Sequence, residues 1–353
     1  MLKLDANEGV CLLSEAQLAR ILSTENACRY PESAVLEKEL ADMLGVPEGN
    51  VLATAGADDA IDRAFRVFTG PGRTIATTSP GFVEFLAASK RTSAEFLSVR
   101  RYAGEAFPLE ELCTLIEERS PSLVVLASPD NPFGTMLSET NFDRIVETCA
   151  RNGSVFLFDA TYIDFADQEG LLSGAFDKAN VIVTGSFSKS RGLAGFRVGW
   201  AAVGKDSSQF IPRMREAGPP YSLSAPAIEA ALTVLRENES QRKAYVERIK
   251  NEREELWRTM VEIGLDAWPS QANFVTAQVN NASGFVAALE EKGIAVRYWP
   301  GEAYVRITCP GNEKDFSTLI TALRETANWN ARGRETRETR ETRAAPCQKL
   351  EVL

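Results

Sequence analysis

A lysine, Lys189, stands just beyond the β-branched run Val181-Ile182-Val183-Thr184, in the segment "GSFSK". An apolar run of that kind is expected as a buried strand, and the ends of such strands are where α/β folds carry their chemistry. An amine placed there can condense with a carbonyl group, the reaction that anchors Schiff-base cofactors. Ser186, Ser188 and the downstream Arg197 supply donors for a phosphate, and glycines recur at Gly192, Gly195 and Gly199. The combination points to a covalent lysine beside an anchored, phosphorylated cofactor. The alternative is a solvated lysine at a strand end.

Other polar tips share this placement. "SLVVLASPDNPFG" is an apolar strand ending in a Pro-Asp-Asn-Pro turn, with Asn131 at its tip. "SVFLFDATYIDF" carries Asp159 at its end and Tyr162 just beyond. Asn131, Asp159 and Lys189 are spaced by roughly thirty residues, the length of a βαβ crossover, so in a parallel sheet their side chains converge on one cleft. A lone aspartate at such a place is commonly a helix cap or a locally paired charge; the aligned set is harder to explain that way. Upstream, "VLATAGADDAIDRAFRVF" predicts a short strand, a turn at Gly56-Ala57-Asp58 and a helix from Asp59 to Phe68. Small residues opening a helix expose backbone N–H groups and the positive end of its dipole, which suits a phosphate; they also simply make tight turns.

The elements that must position these groups follow from periodicity. Residues 14–23 predict an amphipathic helix capped by Ser14, and the helix opened by Ser33 is stopped by Gly45. A strand over 74–78 leads through Ser79-Pro80-Gly81 into a helix opened by Phe82. Helical spacing marks 138–151 and one long stretch over 225–262, whose charged middle is expected as a solvated face. From residue 263 the pattern alternates strand, helix, strand, strand, helix, a small α+β unit expected to pack with the N-terminal segment. The expected architecture is thus α/β: a large domain over 26–235 with a mostly parallel central sheet, and a smaller α+β domain from 1–25 and 236–328. Residues 329–353 are expected as a disordered tail rich in Arg-Glu-Thr repeats, its "KLEVL" end resembling a tag remnant.

Composition narrows the chemistry. The chain of 353 residues is 44% hydrophobic and 25% charged, with a net charge of −10 and no histidine. Lack of histidine removes Ser-His-Asp and Cys-His arrangements and imidazole acid–base work, leaving lysine, tyrosine, carboxylates or a cofactor to move protons. Negative charge gives no footprint for nucleic acid. No apolar run is long enough to span a bilayer, the first residues lack a signal-peptide core, and six scattered cysteines without CxxC spacing favour reduced thiols in the cytoplasm over disulfides or a metal site. No GxxxxGK[ST] loop is present.

In order along the chain, "LDANE", "RYPES", "GADDAI", "SPGFVEF", "SPDNPFG", "DATYIDF", "SFSKSRGLAGFRVGW" and "VRITCP" resemble the pyridoxal 5'-phosphate aminotransferases of fold type I. Within that superfamily the likeness is to the histidinol-phosphate aminotransferase branch, and it covers residue 4 to about residue 326. The resemblance implies a three-layer transferase fold and a role for each matching position. Lys189 would form the internal aldimine and carry the proton between Cα and C4′. Asp159 would pair with the pyridine nitrogen, Asn131 and Tyr162 would bond the ring oxygen, and Phe82 would stack on the ring. Ala57, Asp58, Ser186, Ser188 and Arg197 would hold the phosphate, with Tyr30 reaching it from a neighbouring subunit and so implying a homodimer. Arg306, with Asn7 nearby, would clamp the substrate carboxylate, and Arg297 would help bind a substrate phosphate. Partners would be an amino donor (an amino acid or amino-alcohol phosphate) and a 2-oxo acid acceptor such as 2-oxoglutarate.

Several positions depart from the branch. Gly81-Phe82 stands where threonine and tyrosine are usual, Phe133 replaces a threonine, Ser190-Arg191 replaces a small-aromatic pair after the lysine, and Gly9 replaces a proline. These bear on substrate rather than cofactor. Decarboxylation or oxidation of an amino acid on the same scaffold is the alternative chemistry; a non-enzymatic cofactor-binding regulator is a third reading, though no helix-turn-helix segment precedes residue 4.

Overall fold

The central sheet has seven strands, in the spatial order Val51–Thr54, Gly199–Val203, Val181–Ser186, Val155–Asp159, Leu123–Ala127, Thr74–Ser79 and Glu95–Arg100. Gly199–Val203 runs antiparallel to both its neighbours and the remaining pairs are parallel. The structure is a computed structural model and describes residues 1–167 and 170–326. The expected tail at 329–353 lies outside the described residues.

Strands so placed are covered on both faces, which is why they read as unbroken apolar runs. Their alternation sorts side chains into two cores. Phe156 and Phe158 join Phe142, Val183 and Ala202 on one face, while Leu157 and Ile182 join Phe65, Val125 and Val203 on the other. Helices cover both faces, giving three layers. Register aligns the strand ends that matter: Ala127 lies opposite Asp159, and Asp159 opposite Thr184.

A second sheet has the order Leu2–Leu4, Ile294–Tyr298, Tyr304–Thr308, Phe274–Gln278 and Asp266–Trp268. Leu4, Val296, Val305, Phe274 and Phe285 share its core, so the N-terminal segment does pack with the C-terminal unit. Asp266–Trp268 and Phe274–Gln278 are separate antiparallel strands, where periodicity suggested one.

Helix boundaries differ in instructive ways. The helix expected from Asp59 spans Gly56–Phe68, because the Asp59 Oδ2 accepts the Ala55 N–H at 2.9 Å and closes its first turn. Ser14 and Gln17 form a reciprocal capping box on Glu15–Ile21. The stretch over 225–262 is not continuous: it breaks at Asn238 into Ala225–Glu237 and Glu239–Glu262, and the Asn238 Nδ2 donates to the Leu12 carbonyl at 2.6 Å. Nor is its charged middle wholly solvated. Glu252 and Arg253 are buried, with Arg253 donating to the Phe165 carbonyl at 2.8 Å.

Candidate active site

A cavity of about 880 Å³ opens at the carboxyl ends of the central strands and reaches the second sheet. Lys189, Asp159, Tyr162, Asn131, Phe82, Ala57, Asp58, Ser186, Ser188, Arg197, Asn7, Arg297 and Arg306 all line it. Tyr30 does not: it is 79% exposed and stacks on Tyr221 with ring centroids 4.7 Å apart, on another part of the surface.

Asp159 ends its strand 3% exposed. Its Oδ1 accepts hydrogen bonds from the Thr161 hydroxyl at 2.6 Å, the Thr161 N–H at 3.2 Å and the Thr184 hydroxyl at 3.4 Å. Among the described residues it has no ion pair. Burial dominates, and it pushes the carboxyl up to about 6 against the opposing hydrogen bonds from Thr161. A carboxylate so placed calls for a positive partner.

Lys189 lies half-buried beyond the neighbouring strand. Its Nζ donates to the Ala6 carbonyl at 3.1 Å and sits 5.8 Å from the centre of the Tyr162 ring. Burial first, then the charge of Arg306, push its ammonium down to about 8. The Tyr162 hydroxyl accepts from the Asn7 Nδ2 at 2.9 Å, which leaves its own proton free to donate. Asn7 is held by Thr308 and Asn273: its N–H donates to the Thr308 hydroxyl at 3.1 Å, and Asn273 donates to its carbonyl at 3.2 Å.

Arg306 is only 5% exposed although it sits on a strand between Val305 and Ile307, which are also buried. Both faces of this strand are covered, so the arginine points into the molecule rather than outward. It donates to the Asn131 Oδ1 at 2.6 Å and the Asp5 carbonyl at 2.7 Å, and its Nε is buried without a partner. Burial lowers its guanidinium to about 10, still charged at neutral pH. Arg297 lies opposite Arg306 in register, exposed, with its guanidinium 5.4 Å from the Trp299 ring centre.

At the other end of the cavity the helix Gly56–Phe68 begins with no side-chain cap on its first N–H groups. Its close approach depends on Gly199, where a Cβ would stand 2.3 Å from the Gly56 carbonyl carbon and 2.5 Å from the Ala57 nitrogen. Arg197 donates to the Ser188 hydroxyl at 3.4 Å and pairs with the Asp58 carboxylate at 2.8 Å. Asp58 can therefore serve an anion only through its backbone N–H. Its side chain occupies the arginine that a phosphate would use.

These features fit pyridoxal 5'-phosphate. A buried carboxylate without a cation, a buried arginine with an orphaned N–H, and an uncapped helix start beside Arg197 and Ser188 match a pyridinium, a substrate carboxylate and a phosphate. Thr161, Thr184, Thr308, Asn273 and Trp299 were not singled out from the sequence. Phe133, a departure from the branch, packs against Trp268 and Tyr304 at 6.0 and 5.7 Å between ring centroids and is not among the residues lining the cavity.

Comparison with known proteins shows the family of the chain. Residues 3–323 match the family described as Aminotransferase class I and II. Histidinol-phosphate aminotransferase 2 of Archaeoglobus fulgidus is 33% identical over 322 residues, covering 88% of each chain. Histidinol-phosphate aminotransferase of Caldanaerobacter subterraneus subsp. tengcongensis is 30% identical over 334 residues, covering 92% of each. The crystal structure of histidinol-phosphate aminotransferase from Sinorhizobium meliloti in complex with pyridoxal-5'-phosphate superposes with a TM-score of 0.79 at 24% identity, covering 93% of this chain and 91% of that one, a likeness of fold.

Proposed function

The chain belongs to the class I and II aminotransferases, enzymes that use pyridoxal 5'-phosphate, and we propose that it moves the amino group of an amino acid or a histidinol-phosphate-like amino-alcohol phosphate to a 2-oxo acid. The observation that carries this reading is the pairing of a cation-free buried Asp159 with an Arg306 whose Nε lacks a partner, in the cavity that also holds Lys189. Bound there, the cofactor supplies an aldehyde and an electron-accepting ring that lets a substrate Cα–H bond ionise.

The chain's own groups divide the remaining work. Asp159 keeps a proton on the ring nitrogen by supplying its counter-charge. Lys189, whose burial favours the neutral amine, would take the proton from the substrate Cα and deliver it to the cofactor carbon C4′. Tyr162 and Asn131 donate to the ring oxygen, with Asn7 fixing the tyrosine hydroxyl, and Phe82 bounds one ring face. The N–H groups of Ala57 and Asp58, with Ser186, Ser188 and Arg197, would hold the phosphate, which would compete with the Asp58 carboxylate for Arg197. Arg306 binds the substrate carboxylate through paired N–H donors, and Arg297 binds a distal phosphate at the mouth. Tyr30 serves a neighbouring copy in a homodimer, a reading supported by its exposure and by its absence from the lining of its own cavity.

Among the described residues no helix is long and apolar enough to cross a membrane, and the proposed location is the cytoplasm. The test is amine transfer to 2-oxoglutarate from a panel containing histidinol phosphate and aromatic and aliphatic amino acids. Stoichiometric glutamate supports the reading. Release of CO₂ or consumption of O₂ without glutamate contradicts it.

A further inference from the structure

Resting on that reading, we propose that Ser190 and Arg191 are positioning residues for Lys189, tying its segment to the Tyr162 segment through a closed chain of contacts that runs Ser190, Asp164, Arg242, Glu239, Arg191. The Ser190 hydroxyl donates to the Asp164 Oδ2. Arg242 approaches the same Oδ2 at 3.4 Å and grips Glu239 at 2.6 and 2.8 Å. Glu239 then meets Arg191 at 3.5 Å. Arg191 is 7% exposed; its guanidinium lies 5.3 Å from the ring centre of Phe187, two residues before the lysine, and donates to the Met43 sulfur at 3.0 Å.

The chain of contacts joins the two sides of one short span. Asp164 lies two residues after Tyr162, on the turn Ile163–Phe165, and Ser190 follows Lys189 directly. Two backbone segments that place a ring and an amine 5.8 Å apart are thus fastened to each other just behind those groups. Close backbone approaches also confine the lysine's own segment. A Cβ at Gly9 would stand 2.8 Å from the Lys189 carbonyl oxygen, and one at Gly192 would stand 2.0 Å from the Val10 carbonyl oxygen. Gly9 abuts the Lys189 carbonyl and Ser190 and Arg191 follow that residue directly, so these three departures from the branch pattern cluster at the lysine.

Packing alone would not require charge here. Apolar groups of similar volume fill such a space at no desolvation cost, whereas a hydrogen-bonded ionic chain fixes direction and distance. The amine it directs lies in a field of Arg306, Arg197, Asp58 and Glu8, with Asp159 and Tyr162 lining the same cavity. A small displacement of the Lys189 segment changes its distance to each of these, and with it the proton affinity at Nζ.

The experiment compares Ser190→Ala, Asp164→Asn and Arg191→Met with wild type, each purified with bound cofactor. The pH midpoint of the cofactor's visible absorption is read beside kcat, KM and thermal stability. The expected result is a midpoint moved by about half a pH unit or more, kcat lower by about five- to tenfold and KM within about twofold. Ser190→Thr, which keeps the hydroxyl, restores the midpoint. Wild-type midpoints in folded Ser190→Ala and Asp164→Asn overturn the proposal even if stability falls, and these two decide the matter should Arg191→Met fail to fold. A wild-type protein with no Lys189-dependent band removes the functional reading and this proposal together; a normal wild-type band with unmoved midpoints removes this proposal alone.

Discussion

Asp159→Asn separates what the site does for the cofactor from what it costs the fold. Burial takes the Asp159 carboxyl from its ordinary 3.8 up to about 6. Each pH unit between those values corresponds to about 1.4 kcal/mol, so the ionised group costs the cofactor-free fold about 3 kcal/mol at neutral pH. The sign follows from the order of the two values. With the folded pKa above the unfolded one, the folded state holds the proton more tightly. Stability from this group is therefore full below about pH 4, declines through pH 4 to 6 and stays low above it. Asparagine cannot ionise. It keeps an oxygen for Thr161 but brings an amide N–H₂ that needs a partner, a loss of about 1 kcal/mol or more. The cofactor-free variant should therefore be more stable than wild type by about 1–2 kcal/mol at pH 7.5, and no more stable at pH 4.5. Urea unfolding at both pH values measures this, with unchanged m as the control. The same substitution should weaken cofactor binding and remove most amine transfer, since the ring nitrogen loses its counter-charge. A variant equally or less stable at pH 7.5, or one whose stability difference is the same at both pH values, refutes the assignment of Asp159 as an uncompensated buried carboxylate.

Arg306→Ala should lower kcat/KM for carboxylated amines by about 3 kcal/mol, roughly a hundredfold, while an amine lacking a carboxylate loses far less; steady-state kinetics on a matched pair of donors tests this, and equal losses would remove the clamp. Gly199→Ala should loosen cofactor binding by about tenfold or more, because the added methyl meets the Gly56–Ala57 backbone and drives back the helix start proposed to hold the phosphate. Equilibrium titration with the cofactor checks it, and unaltered affinity in a folded variant counts against that helix start.

The parts of the site legible in the sequence are those set by strand periodicity. Asn131, Asp159 and Lys189 stand at the ends of apolar runs, and parallel pairing with Asp159 opposite Ala127 and Thr184 brings those ends together. Arg306 was less legible: alternation with Val305 and Ile307 suits an outward arginine, and only the covering of both faces of its strand turns it inward. The start of the helix at Gly56 was hidden because the group that closes its first turn, Asp59 on the Ala55 N–H, lies inside the helix itself. Asn238 breaks what periodicity joins, since its side chain holds the carbonyl of Leu12, more than two hundred residues away. The link between Ser190 and Asp164 crosses elements in the same manner, and no local pattern announces it. Long-range polar contacts of this kind depend on the tertiary arrangement, not on spacing.

The central claim is that residue 189 holds the cofactor covalently. Borohydride reduction of the purified holoprotein followed by peptide mass mapping tests it most directly. The expected result is a single pyridoxyl adduct on Lys189, absent from Lys189→Ala together with the visible absorption. An adduct on another lysine, or visible absorption that persists in Lys189→Ala, would contradict it.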